Sequence, residues 1–195
     1  VRRRLSPEER RHELLAFGRG FFAAYAADAC SMEQIAERAG VSKGLLYNYF
    51  GGRRGFYVAT IEAIAAEVTE LTEPDPEGPA LDALADALAR YLGWVRVNDG
   101  AYRVLVQGGL GVDAEVGAIV EGLRRTTVER VLTRLGADAT DPAELAAYGW
   151  VCFTEHACLD WLGRPGVGEE RMVAVLLGAL QGALSAAGVR EMRDA

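Results

Sequence analysis

The sequence is poor in the residues that staple, coordinate or punctuate a chain. Three cysteines occur among 195 residues, Cys30, Cys152 and Cys158, and none has C-x-x-C spacing. So sparse and odd a set excludes a disulfide framework and makes a reducing compartment the default. The two histidines, His12 and His156, stand far apart, and no complete metal-ligand set accompanies either. Neither a metal nor a cofactor is therefore expected. Only six prolines interrupt the chain, and strand-length alternation is scarce, which predicts a mostly helical protein. The N-terminus, Val1-Arg2-Arg3-Arg4-Leu5-Ser6-Pro7, is basic but leads into no apolar stretch. No signal peptide is read there, and the expected location is the cytoplasm. Nucleophile motifs and phosphate loops are missing as well. An enzyme reading would have to rest on Glu155, His156 and Cys152 or Cys158.

Lysine is nearly absent: Lys43 stands against twenty arginines. With the surplus of alanine and glycine, this bias matches GC-rich codon usage, so only the position of Lys43 gives it meaning. Half the chain is apolar and a quarter charged, as in ordinary globular proteins, and a chain of this length buries a real core. The net charge of −7 argues against nucleic acid until the halves are read apart. Residues 1–60 carry a balance of +4 and residues 61–195 one of −11. A basic module on an acidic body suits a chain that touches a polyanion at one end, although a solvated N-terminal arm gives the same balance.

Local signals divide the basic module into helices. Ser6-Pro7-Glu8-Glu9 reads as an N-cap, a proline at N1 and a capping box. Leu14, Phe17, Phe21, Phe22 and Tyr25 then follow at three-to-four spacing. That helix ends near Tyr25, before a turn through Asp28. Ser31 and Gln34 repeat the box, and Gly40 ends a short second helix. Ser42 caps a third, which runs to Phe50 and breaks at Gly51-Gly52. A fourth runs from about Arg53 to Leu71 and is expected to fray at Gly55. Short helix, glycine turn and short helix have the spacing of a helix-turn-helix. A capped N-terminus offers free N–H groups and a positive dipole end to phosphate. Lys43 would sit on that first turn, near base edges. A plain helical hairpin with core tyrosines fits the same spacing.

The run Ile35-Ala36-Glu37-Arg38-Ala39-Gly40-Val41-Ser42-Lys43-Gly44-Leu45-Leu46-Tyr47-Asn48-Tyr49-Phe50 resembles the DNA-binding signature of the TetR family of transcriptional regulators. The likeness extends over roughly residues 8–58. It implies an all-α fold with a three-helix DNA-binding domain, residues 1–52, and a helical bundle for ligand binding and dimerisation, residues 53–195. It also implies a homodimeric, ligand-responsive regulator, usually a repressor, on a palindromic double-stranded operator. By that likeness Lys43, Gly44 and Leu45 approach bases, while Tyr47, Asn48 and Tyr49 touch mostly phosphates. The capping serines Ser31 and Ser42, and Arg53, complete the DNA-facing set. Leu45 stands where the family often has threonine, which exchanges a hydroxyl for a methyl contact to thymine. Gly51, Gly52 and Arg53 replace the usual polar cap and phosphate-gripping lysine.

Behind the linker Thr72–Pro79, periodicity predicts a helix through Leu81, Leu88 and Val95, then a turn at Asn98-Asp99-Gly100. A short helix around Tyr102–Val106 ends at Gly108-Gly109. Asp113 caps a long helix stopped by Gly136, and Asp141-Pro142 opens another that runs to Trp161. The last helix, about Glu169 to Gly188, carries no charge from Met172 to Val189. Gln181, Ser185 and its glycines make it too mildly apolar for a membrane span, so burial on two sides is expected. Gly178, Gly182 and Ala186 form a small-residue strip. With Val175, Ala179 and Asp160 they make the dimer interface that the resemblance implies. Cys152, His156 and Asp160 share one helix face, open to reading as a metal site, a pocket wall or a polar interface seam. An effector pocket is expected among Tyr91, Trp94, Tyr102, Leu123, Cys152, Phe153 and His156, with a small lipophilic ligand. An architectural DNA binder with a filled body remains the competing reading.

Overall fold

A computed structural model describes residues 5–25, 29–108 and 113–189. Among these residues the only regular elements are helices: α1 (Pro7–Ala24), α2 (Met32–Ala39), α3 (Lys43–Phe50), α4 (Arg53–Leu71), α5 (Ala80–Val97), α6 (Asp99–Gly108), α7 (Ala114–Arg134), α8 (Asp141–Trp161) and α9 (Glu169–Ala186). The all-α expectation holds. The turn expected through Asp28, the residue Gly109 and the basic stretch Arg2-Arg3-Arg4 lie outside the described residues.

The caps explain where the first helices start. Ser6 Oγ accepts from Glu9 N at 3.1 Å while Glu9 returns a carboxylate oxygen to Ser6 N at 2.7 Å. Ser31 and Gln34 repeat the exchange, and Ser42 Oγ accepts from Leu45 N at 3.2 Å. Gly40 closes α2 at φ 67° and Gly51 closes α3 at φ 71°, left-handed positions that cost a side chain steric strain. Asp113 Oδ1 accepts from Glu115 N and Val116 N, which caps α7.

The described chain forms two compact units: Val1–Ala66 with Gly100–Ile119, and Glu67–Asp99 with Val120–Ala195. In the first, Leu14, Phe21, Phe22, Ile35, Leu46, Phe50 and Phe56 make one apolar cluster. Phe56 lies 4.8 Å from the Phe50 ring and 5.5 Å from Phe22, centroid to centroid. Gly18 lets α1 approach α4: a Cβ there would stand 2.5 Å from Thr60 Oγ1 and 2.8 Å from Phe56 Cζ. In the second, α9 packs on α8 and α5 through Met172, Leu176, Leu180 and Leu184, all buried at four-residue spacing. No helix of the described residues is long and apolar enough to cross a membrane.

Two local expectations need correction. The turn at Asn98-Asp99-Gly100 shrinks to Asn98 alone, whose side chain caps back onto Trp94 O at 2.9 Å. Gly100 is helical, and a Cβ there would meet that of Ala23 at 2.5 Å. Gly100 serves packing rather than turning. At the start of α4, Gly55 lies in regular helix, with Phe56 N bonded to Gly52 O at 2.9 Å. A Cβ at Gly55 would fall 2.0 Å from Phe50 O, so the glycine marks contact with the end of α3.

Candidate functional site

The first unit brings α2 and α3 together as two short, separately capped helices. α3 buries Leu46 and Phe50 and leaves Lys43, Gly44, Tyr47 and Asn48 exposed. Leu45 and Tyr49 are half-buried, and Tyr49 packs on the aromatic cluster. The four exposed residues and Leu45 occupy the N-terminal two turns, beside the amides that Ser42 leaves unbonded. This end of the helix therefore combines a positive dipole, a cation and two polar side chains. Lys43 has a partner already. Its ammonium bonds the Glu33 carboxylate of α2 and lies 5.5 Å from the Tyr47 ring centroid. That hydrogen bond holds the Glu33 carboxyl at about 2 and raises Lys43 above its ordinary value. Ser31 is exposed at the head of α2. Arg53 is half-buried and reaches Cys30 O at 3.3 Å. Arg54, the other cation of that turn, is engaged elsewhere. It forks onto Asp113 with two bonds of 2.9 Å and pairs with Glu115 at 2.7 Å.

The second unit holds a cavity of about 90 Å³. Leu84, Leu88, Tyr91, Leu123, Val131 and Trp150 supply apolar wall, and Thr72, Thr127, Thr154, Arg124, Arg130 and Glu155 supply polar atoms. Of the pocket residues expected from sequence, Tyr91 and Leu123 line it. Trp94, Tyr102, Cys152, Phe153 and His156 do not. Trp94 donates its indole N–H to Glu67 at 2.7 Å. Tyr102 is fully buried and belongs to the first unit. Phe153 is 45% exposed, and His156, also exposed, sets Nδ1 2.9 Å from Cys152 O. These side chains point off the cavity because helix periodicity groups residues on a face without saying what that face meets.

Sequence reasoning missed the polar pair in the wall. Arg124 Nε and Nη2 donate to the two Glu155 carboxylate oxygens at 3.0 and 2.7 Å, and both side chains are nearly buried. The pairing holds the guanidinium pKa above its ordinary value despite burial. The residues stand 31 positions apart, so no local pattern announces them. In the sequence Glu155 stands out only beside His156, as a residue on which an enzyme reading would rest.

The outer faces of α8 and α9 carry exposed apolar side chains: Leu145 at 74%, Phe153 at 45% and Val175 at 46%. Gly178, Gly182 and Ala186 are exposed along α9, Ala179 is half-buried, and Asp160 is exposed with Arg164 at 2.6 Å. Among the described residues, no group of three His, Cys, Asp or Glu side chains converges to hold a metal.

Residues 14–60 match the family model described as bacterial regulatory proteins, tetR family. Residues 80–180 match the model described as tetracyclin repressor-like, C-terminal domain. A relative, the HTH-type transcriptional activator FasR of Mycolicibacterium smegmatis, is 24% identical over 166 residues, which cover 82% of this chain and 75% of that protein. Among solved structures, a tetR-family transcriptional regulator from Streptomyces coelicolor superposes with a TM-score of 0.82 at 23% identity, over 96% of this chain and 85% of the other. A TetR-like transcriptional regulator from Rhodococcus sp. RHA1 gives 0.74 at 24% identity, over 93% and 99%.

Proposed function

Because the chain belongs to the TetR family of bacterial regulatory proteins, we propose that it is a homodimeric, cytoplasmic repressor, released from a palindromic operator by a small lipophilic effector. Residues 1–52 bind DNA, and residues 53–195 bind the effector and dimerise. The observation that carries this reading is the Ser42-capped start of α3, with Lys43, Gly44, Tyr47 and Asn48 exposed beside it. Lys43, Gly44 and Leu45 meet base edges in the major groove. Ser31, Ser42, Tyr47, Asn48, Tyr49 and Arg53 fix register on phosphates. The dimer joins the outer faces of α8 and α9 through Asp160, Val175, Gly178, Ala179, Gly182 and Ala186. Two-fold symmetry then sets two recognition helices on successive major-groove turns. The effector enters the cavity beside Tyr91 and Leu123 and favours a dimer whose half-site spacing no longer matches DNA.

The test is selection of a duplex from a random library, followed by binding of the selected and an unrelated duplex across a salt series. The expected result is a palindrome bound at least about a thousandfold tighter than the control, with affinity falling steeply as salt rises. Lys43→Ala and Tyr47→Ala each weaken that complex without altering thermal unfolding or sedimentation. Unchanged affinity in both would remove α3 from the interface. Activation is a second reading, favoured by the name of the FasR relative. Transcription from the selected site, with and without the protein, separates the two.

A further inference from the structure

We infer that the cavity in the second unit takes a ligand whose apolar body carries one uncharged carbonyl, and that Thr154 donates its hydroxyl hydrogen bond to it. The inference rests on the effector reading and adds the chemical class of the ligand. Thr154 behaves unlike Thr60 and Thr127, which lie within helices, and Thr72, the first residue past α4. Thr60, Thr72 and Thr127 each donate to the carbonyl four residues back, at 2.7, 2.7 and 2.9 Å, the usual refuge of a hydroxyl within a helix. Thr154, in the middle of α8, does not. It is 6% exposed, its Oγ1 is buried without a hydrogen-bond partner, and it lines the cavity with Leu84, Leu88, Tyr91 and Leu123. A buried hydroxyl left unbonded is costly, and a ligand acceptor placed there recovers the loss.

The charges around it select against ions. Both arginines of the wall are matched: Arg124 by Glu155 through a two-pronged hydrogen bond, and Arg130 by Thr69 O at 2.6 Å and by Glu73. A carboxylate has to displace Glu155 or lie beside it. An ammonium has to lie beside two guanidinium groups. Either ion leaves water for an environment whose charges are already paired. An alcohol brings a second donor that needs its own acceptor. A carbonyl asks only for a donor, and Thr154 has one.

The experiment measures dissociation constants of hexan-2-one, hexanoate and hexylammonium on the full chain by ligand-observed nuclear magnetic resonance. The wild type should hold the ketone about tenfold tighter than either ion. Thr154→Val keeps the shape and removes the hydroxyl. It should weaken the ketone about tenfold while melting no lower than wild type, and Thr154→Ser should keep ketone binding within about threefold of wild type. Ala87 also lines the cavity, and Ala87→Leu, which fills it, should abolish binding of all three probes. Tighter binding of hexanoate, or ketone binding indifferent to Thr154→Val, overturns the inference while Ala87→Leu still places the probes in the cavity. Binding of no probe to wild type, or binding indifferent to Ala87→Leu, overturns the cavity reading itself.

Discussion

Lys43 is occupied before any DNA arrives. Its ammonium bonds Glu33 across the helix-turn-helix, and both side chains are about half exposed or more. A phosphate or base edge must therefore compete with a carboxylate of the same motif, and that carboxylate adds a negative charge at a surface proposed to meet a polyanion. Glu33→Gln removes both effects. We expect affinity for the selected duplex to rise about two- to fivefold at low salt and the gain to shrink as salt screens it, read by fluorescence anisotropy. An unchanged or weaker complex would mean that Glu33 positions Lys43 instead of competing for it. The sign of the pH effect follows from the same pair. The Glu33 carboxyl is lowered from 4.5 to about 2, so the pairing is fully present above the ordinary value and is lost only as pH falls through about 2. From about pH 5 to 8 the affinities of wild type and Glu33→Gln should run parallel.

Glycine separates propensity from packing at the level of the helix. By propensity alone, alanine at Gly55 should stabilise α4 by up to about 1 kcal/mol. The Phe50 carbonyl, 2.0 Å from the added Cβ, reverses the sign. Gly55→Ala should destabilise the chain by about 1–3 kcal/mol in urea unfolding, because α3 has to move off the start of α4. Gly20→Ala in α1, with nothing within 4 Å of its Cβ, is the control and should stabilise by up to about 1 kcal/mol. Equal effects at both sites would refute the contact. The contrast also explains what could be read in the sequence. Ser6 with Glu9, Ser31 with Gln34, and Ser42 act within four residues, so their helix starts and the capped α3 were legible. Gly55 and Gly100 look like breakers in sequence and act as packing contacts, because their neighbours come from other helices. The cavity was legible only at Tyr91 and Leu123. Arg124 meets Glu155, and Trp94 meets Glu67, through the way helices fold against one another, and spacing along one helix holds no record of that.

Among the described residues, α8 and α9 carry apolar side chains that a single chain leaves exposed. Leu145, Phe153 and Val175 are exposed on α8 and α9, which pack against each other. One turn beyond Val175, α9 continues into the exposed strip of Gly178, Gly182 and Ala186. Isolated exposed apolar residues are ordinary, but several on two adjoining helices mark an interaction surface. Small residues at four-residue spacing let a second helix approach closely. If this face joins two copies, DNA affinity depends on it, since each half-site alone binds weakly and the second contact gains from effective concentration. Gly182→Arg puts a long cation into the strip yet spares Leu176, Leu180 and Leu184, which hold α9 to its own chain. We expect sedimentation to show a monomer, far-ultraviolet circular dichroism to stay unchanged, and affinity for the palindrome to fall at least about a hundredfold, while binding to a single half-site is retained. A dimer that survives the substitution with its affinity intact would place the two-fold axis on another face. Monomers that still bind the palindrome at full strength would break the link between dimerisation and recognition on which the repressor reading depends.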